Sequence, residues 1–201
     1  MKKLASTLPN MIISLGVITI IASALLAWAN SVTAEPIAAA AKQTRVDAIK
    51  DVLPPFDNDP LAKAVELNVM GDGNAPFIIY PAYEGDKFVG AAVEGYTLNG
   101  FSGEVKVMYG FDAAGVIQGY QVLSHAETPG LGAKMNEWFR MEEGNRSVID
   151  KDPAQVNMTV AKDGGAIDAI TAATISSRAF LSALRDCYQA FVTYKNDHSN
   201  E

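Results

Sequence analysis

Residues 168–180 read Asp168-Ala169-Ile170-Thr171-Ala172-Ala173-Thr174-Ile175-Ser176-Ser177-Arg178-Ala179-Phe180. The residues entering this stretch, Ala166 to Ile170, have the pattern of an extended segment. Past Thr174 the apolar residues fall at Phe180, Leu184, Cys187, Tyr188, Phe191 and Val192, the spacing of one face of an α-helix. Ser182, Arg185, Asp186, Gln189 and Lys195 take the other side. Hydroxyl residues crowd the join, and Thr171, Thr174, Ser176 and Ser177 are all candidate caps. A helix start presents unpaired N–H groups and the positive end of the dipole, which favour an anion. A well-capped C-terminal helix is the plainer reading of the same residues.

The 201-residue chain has room for one globular domain and an accessory segment. Its one cysteine, Cys187, excludes an intrachain disulfide and a cysteine-ligated cluster, and two histidines are too few for a histidine metal site. Cys187 falls on the apolar helix face and is expected in the core. The formal net charge is −7; removing Lys2 and Lys3 leaves 14 basic against 23 acidic residues, a balance of −9. Such a domain does not seek nucleic acid or anionic lipid.

Lys2 and Lys3 precede an uncharged span from Leu4 to Ala34. Within it Met11 to Ala29 is apolar apart from Ser14, Gly16, Thr19 and Ser23. At about 1.5 Å per residue this stretch covers ~28 Å, close to the hydrocarbon thickness of a bilayer. Trp28 sits at the far end, where an interfacial aromatic belongs. The paired lysines place the N-terminus in the cytoplasm and the rest outside. Ala27-Trp28-Ala29 has the small-x-small form of a leader cleavage site, but the apolar run is longer than a leader needs, which favours an uncleaved anchor. Either way the remainder is exported.

Glu35-Pro36 is expected to open a separate helix striped by Val46, Ile49, Val52 and Leu53 and ended by Pro54-Pro55. Residues 57–75 read as loop and turn, Gly71-Asp72-Gly73-Asn74 included, around a short helix at Leu61–Leu67. A meander follows. Strands are expected at Phe77–Ala82, Phe88–Tyr96, a segment carrying Val105, Val107, Tyr109 and Phe111 on one face, and Val116–Leu123. Glu84-Gly85-Asp86 and Asp112-Ala113-Ala114-Gly115 are the turns, and Asn99-Gly100 a loop. Four antiparallel strands need a cover, which the C-terminal helix supplies. The fold class is therefore α+β: a transmembrane helix, then an antiparallel sheet covered by helices. The divisions are an anchor at 1–30, a juxtamembrane helix and loops at 31–76, and an exported domain at 77–201. After the last strand comes Glu127-Thr128-Pro129-Gly130-Leu131-Gly132, leading to a helix expected over Ala133–Met141. Pro129 fixes φ, and the two glycines permit a left-handed turn or a close backbone approach.

Two segments carry a family resemblance. Asp168, Thr171, Ala172, Ala173, Thr174 and Ser176 resemble the flavinylation motif of the FMN-binding domain family, with Ala172 where that family usually has glycine. Glu127 to Gly132 resembles its second signature, notably in the G subunits of Rnf-type electron-transport complexes and the C subunits of sodium-translocating quinone reductases. The short chain favours the former. The resemblance implies FMN joined through a phosphoester to Thr174 by a flavin transferase. It also implies a ring lying against Glu127, Thr128, Pro129, Gly130, Leu131 and Gly132. Asp168 is then a residue that presents Thr174 for attachment, or a turn cap. Arg178, one turn past Thr174, is a candidate for the phosphate or a solvated charge, and Lys134 a candidate cation near the ring. The implied partners are the membrane and iron–sulfur subunits of such a complex, above all its D subunit, and the implied site is the outer face of the inner membrane. An acidic domain tends to hold a flavin at low potential. No nucleophile–base–orienter set is visible, so a relay fits better than stand-alone catalysis. A soluble flavin carrier and a non-redox assembly module are the competing classes. Carbonate extraction separates anchor from leader: the chain is expected to stay with the membrane pellet, and release into the supernatant marks cleavage.

Overall fold

The structure, a computed structural model, describes residues 7–68 and 76–198. Lys2, Lys3 and the turn expected at Gly71–Asn74 lie outside the described residues. The chain divides into two compact units, Met1–Thr44 and Arg45–Glu201.

The first unit consists of helix α1, Leu8–Val52, up to Thr44. Among the described residues α1 is the one helix long and apolar enough to cross a membrane, and its large apolar side chains from Leu8 to Ile37 are exposed. It fits a single-pass anchor. The expected break at Glu35-Pro36 does not occur, because Pro36 lies inside the helix. Proline removes one N–H from the ladder, but the alanine run Ala38 to Ala41 that follows has the highest helix propensity of any residue type and carries the helix on.

In the second unit five strands form one antiparallel sheet in sequence order. They are β1 (Val65–Leu67), β2 (Phe77–Glu84), β3 (Lys87–Gly100), β4 (Gly103–Asp112) and β5 (Ile117–His125). Strand β1 stands where a helix at Leu61–Leu67 is expected; so short a helix is marginal alone, and Val65–Leu67 instead pairs with Phe77–Ile79. Asn99 and Gly100 belong to β3, so the tight β3–β4 turn falls at Phe101-Ser102. The Asp112 turn forms as expected: Asp112 Oδ1 accepts the N–H groups of Ala114, Gly115 and Val116 at 2.8, 2.9 and 2.9 Å.

Val105, Val107, Tyr109 and Phe111 share a buried face, as their alternation requires. Helix α3 (Thr174–His198) covers it with Phe180, Leu184, Cys187 and Phe191. Leu181, Ala183, Ala190 and Tyr194 are buried as well, so the covered surface is wider than one stripe. The opposite face is not left to solvent. Ala48, Ile49 and Val52, at the end of α1, pack with Tyr80, Ala92 and Met108. Gly110 and Gly119, partners across β4 and β5, make this possible, since a Cβ on Gly110 would strike the Val52 backbone and one on Gly119 would crowd it. Beside this contact Glu94 is buried and accepts from Arg45 at 2.9 and 3.2 Å and from the Tyr80 hydroxyl at 3.0 Å. Burial, then the Glu94 charge, pushes the Tyr80 phenol well above its ordinary value.

The expected helix over Ala133–Met141 shrinks to a 3-10 turn, Gly132–Lys134, and one turn of helix α2, Met135–Trp138. The extended segment expected before α3 is reduced to one bridge, Val160 with Ile167. Phe180 centres the core near this region. Its ring stacks on Phe139 at 4.3 Å and meets Tyr120 and Tyr109 edge-on at 4.9 and 5.4 Å. The Tyr109 hydroxyl donates to the Phe180 carbonyl at 2.8 Å, and that of Tyr120 to Met135 at 2.8 Å. Phe180→Ala is expected to destabilise the domain by about 3–5 kcal/mol in a urea titration.

Candidate functional site

A cavity of about 310 Å3 opens at the mouth of α3. Phe101, Glu127, Thr128, Leu131, Gly132, Ala172, Ala173, Thr174, Ile175 and Ser176 line it. Two segments nearly fifty residues apart thus form one wall system, joined by the β3–β4 turn. The link between them is the Glu127 carboxylate. Only 4% exposed, it accepts the Ser176 hydroxyl at 2.6 Å and the Ser102 N–H at 3.2 Å. The Glu127 N–H donates to His125 Nδ1 at 3.1 Å, which fixes the start of the loop.

The glycines of this loop do different work. Gly130 has φ +75°, a left-handed turn that glycine takes without strain. Gly132 is needed for close approach, since a Cβ there would collide with both the Glu127 carboxylate and the Ser176 hydroxyl. At the mouth of α3, Ala172 has φ +62°, left-handed although it is not glycine. That conformation accounts for the glycine which the flavinylation motif usually carries here.

The hydroxyls at the helix mouth separate by partner. Ser177 Oγ accepts the Ile170 N–H at 2.9 Å and donates to the Ala173 carbonyl at 3.0 Å. Ser176 is committed to Glu127. Thr171 is exposed and does not line the cavity. Thr174, the first residue of α3, lines it half-buried, with no hydrogen-bond partner for its hydroxyl among the described residues.

Several residues singled out by sequence lie elsewhere. Asp168 Oδ2 accepts the Asn145 N–H at 2.9 Å, and the Asp168 carbonyl accepts the Trp138 indole N–H at 2.9 Å, so it braces a distant loop. Arg178 forms a two-pronged pair with Asp163, both contacts 2.7 Å, in a separate depression with Arg185. Its hydrogen bonds hold the Asp163 carboxyl below the usual carboxylate range. Neither Asp168 nor Arg178 lines the cavity; Arg178 sits one turn past Thr174, and its pair with Asp163 holds it in the separate depression. Pro129, Gly130 and Lys134 are not cavity-lining either, and Lys134 is exposed. Sequence reading missed Phe101 and Ile175. Phe101 is 66% and Ile175 48% exposed, and with Leu131 at 41% they give the cavity an apolar rim. Ile175 occupies the variable position of its motif, and nothing local marks Phe101, which reaches the site through the β3–β4 turn.

These features fit FMN. The rim offers apolar contact to a flat ring system, Gly132 lets the backbone approach closely, and the first turn of α3 presents N–H groups toward a phosphate. Residues 100–189 match the FMN-binding domain family, a segment that includes every residue lining the cavity. The chain is 34% identical over 172 residues to the G subunit of the ion-translocating oxidoreductase complex of Yersinia pestis, covering 82% of this chain and 81% of that one. It is 31% identical over 201 residues to the corresponding G subunit of Aliivibrio fischeri, with 96% and 94% covered. To that of Cereibacter sphaeroides it is 34% identical over 177 residues, with 85% and 78% covered. The chain belongs to the family formed by the G subunits of ion-translocating oxidoreductase (Rnf-type) complexes.

Ala172→Gly is expected to stabilise the unloaded domain by ~0.5–1 kcal/mol in chemical denaturation. Relief of the left-handed conformation, ~1–2 kcal/mol, exceeds the added freedom of the unfolded chain, ~0.4–1 kcal/mol.

Proposed function

We propose that this chain is the membrane-anchored flavin subunit of an ion-translocating oxidoreductase complex, carrying FMN through a phosphoester to Thr174. The observation that carries this reading is the hydroxyl of Thr174. Thr174 lines a cavity built from both signature segments and its hydroxyl has no hydrogen-bond partner among the described residues, while Ser176 and Ser177 are held by other partners. When bound, FMN supplies electron transfer in one- and two-electron steps. The chain holds it, positions it and keeps it from leaving. A helix N-terminus contributes only ~0.3–1 kcal/mol to an anion, whereas nanomolar retention takes about −12 kcal/mol. No cation among the described residues lines the cavity to make up the difference. Outside the cytoplasm, where free cofactor is scarce, a covalent bond removes dissociation.

In this reading residues 1–30 are the inner-membrane anchor with a cytoplasmic N-terminus. Residues 31–76 connect it to the FMN domain at 77–201 on the periplasmic side. A flavin transferase loads Thr174 after export. The chain then relays electrons between an iron–sulfur centre in the membrane and the D subunit, within a translocase, and has no activity alone. Names of the relatives and the FMN-binding match support membership in such a complex.

Protein made with a flavin transferase is expected to keep a yellow, fluorescent adduct after denaturation, with the mass of FMN less water on the peptide holding Thr174. Thr174→Ala is expected to lose the adduct while its unfolding midpoint barely moves. An unmodified Thr174 peptide from loaded wild-type protein overturns the reading.

A further inference from the structure

Among the described residues the cavity wall carries one charged side chain, and that charge is negative. Glu127 is 4% exposed, and both carboxylate oxygens act as acceptors, Oε1 for the Ser102 N–H and Oε2 for the Ser176 hydroxyl. An amide would keep both contacts: its oxygen accepts from Ser102, and its NH2 donates to Ser176 Oγ, whose own O–H then turns to another acceptor. The two contacts therefore do not by themselves require a charge, and burying one is costly. The two cations beside the signature segments do not offset it at the wall. Lys134 is exposed and outside the cavity lining, and Arg178 is paired with Asp163.

We propose that the Glu127 carboxylate sets the reduction potential of the flavin bound in this cavity, holding it low by fixing a negative charge in the wall where reduction adds electrons. The inference rests on the FMN reading of the site and goes beyond it by assigning one side chain to tuning rather than to holding. Like charges sharing a poorly solvated site repel more strongly than in water. Ser176 and Ser102 moderate the charge by hydrogen bonding without cancelling it. The link to Thr174 runs through the phosphate tail and leaves the ring unaltered, so surroundings of this kind are the means left to the protein for setting the potential.

The test is a spectroelectrochemical titration of the full chain in detergent, loaded by a flavin transferase, with the Thr174 adduct first confirmed by peptide mass. Glu127→Gln is expected to raise the midpoint potential by about tenfold in the reduction equilibrium, ~30 mV for a two-electron couple. Lys134→Gln removes a charge from the same loop but outside the cavity, and is expected to shift it by less than a third as much. An unchanged or lower potential in Glu127→Gln, or an equal displacement in Lys134→Gln, overturns the proposal while leaving the FMN reading intact. A bare Thr174 in wild type overturns both. Should Glu127→Gln not load, Ser176→Ala decides: it keeps the charge and strips one donor, so its potential is expected below wild type, and a value at or above wild type overturns the proposal.

Discussion

The contact between the Glu127 carboxylate and the Ser176 hydroxyl, 2.6 Å long and out of water, is the one on which the site depends. It joins the loop after β5 to the first turn of α3, and through the Ser102 N–H it also holds the β3–β4 turn. A hydrogen bond to an ionised group is worth ~1.5–3 kcal/mol, and breaking it here would leave a buried charge short of a partner. Gly132 must be glycine because the backbone passes against this pair. Thr174, two residues before Ser176, is thereby placed at a cavity rather than on an open helix end.

Around that contact the sheet is enclosed from both sides, and each side uses a different device. Large side chains from α3 fill the first, which includes the Phe139–Phe180–Tyr120 ring cluster. On the second, two missing side chains make the packing possible: Gly110 and Gly119 let the Val52 backbone lie on the strands beside Tyr80, Ala92 and Met108. The same face takes in the Glu94 carboxylate, whose three donor contacts from Arg45 and Tyr80 offset its burial. Residues Arg45–Val52 are therefore part of the sheet domain's packing as well as the end of a long helix.

The site is better suited to keeping a cofactor by a bond than by affinity. Its rim is apolar, its one charged wall residue is acidic, and Arg178 is engaged with Asp163 outside it. A phosphate group would gain little from such a lining beyond the helix N-terminus. In the reading proposed above, a covalent tether removes that requirement and leaves the carboxylate to act on the redox properties of what is tethered. Exposure of Phe101, Leu131 and Ile175 keeps the cavity open at the surface, as exchange of electrons with neighbouring proteins requires.

Local sequence determined the apolar anchor, the antiparallel meander, the covering helix and the two signature segments, because each rests on periodicity or turn chemistry within a few residues. Val105, Val107, Tyr109 and Phe111 showed their buried face by alternation alone. Tertiary structure decided what depended on distant partners. Pairing with β2 made Val65–Leu67 a strand, and helix propensity on the far side of Pro36 carried α1 past its expected break. Asp163 took Arg178 from the site, and Asn145 took Asp168, while a turn brought Phe101 in. The motif's hydroxyls look equivalent in the chain; only folding, by giving Ser176 and Ser177 partners and Thr174 a cavity, made them different.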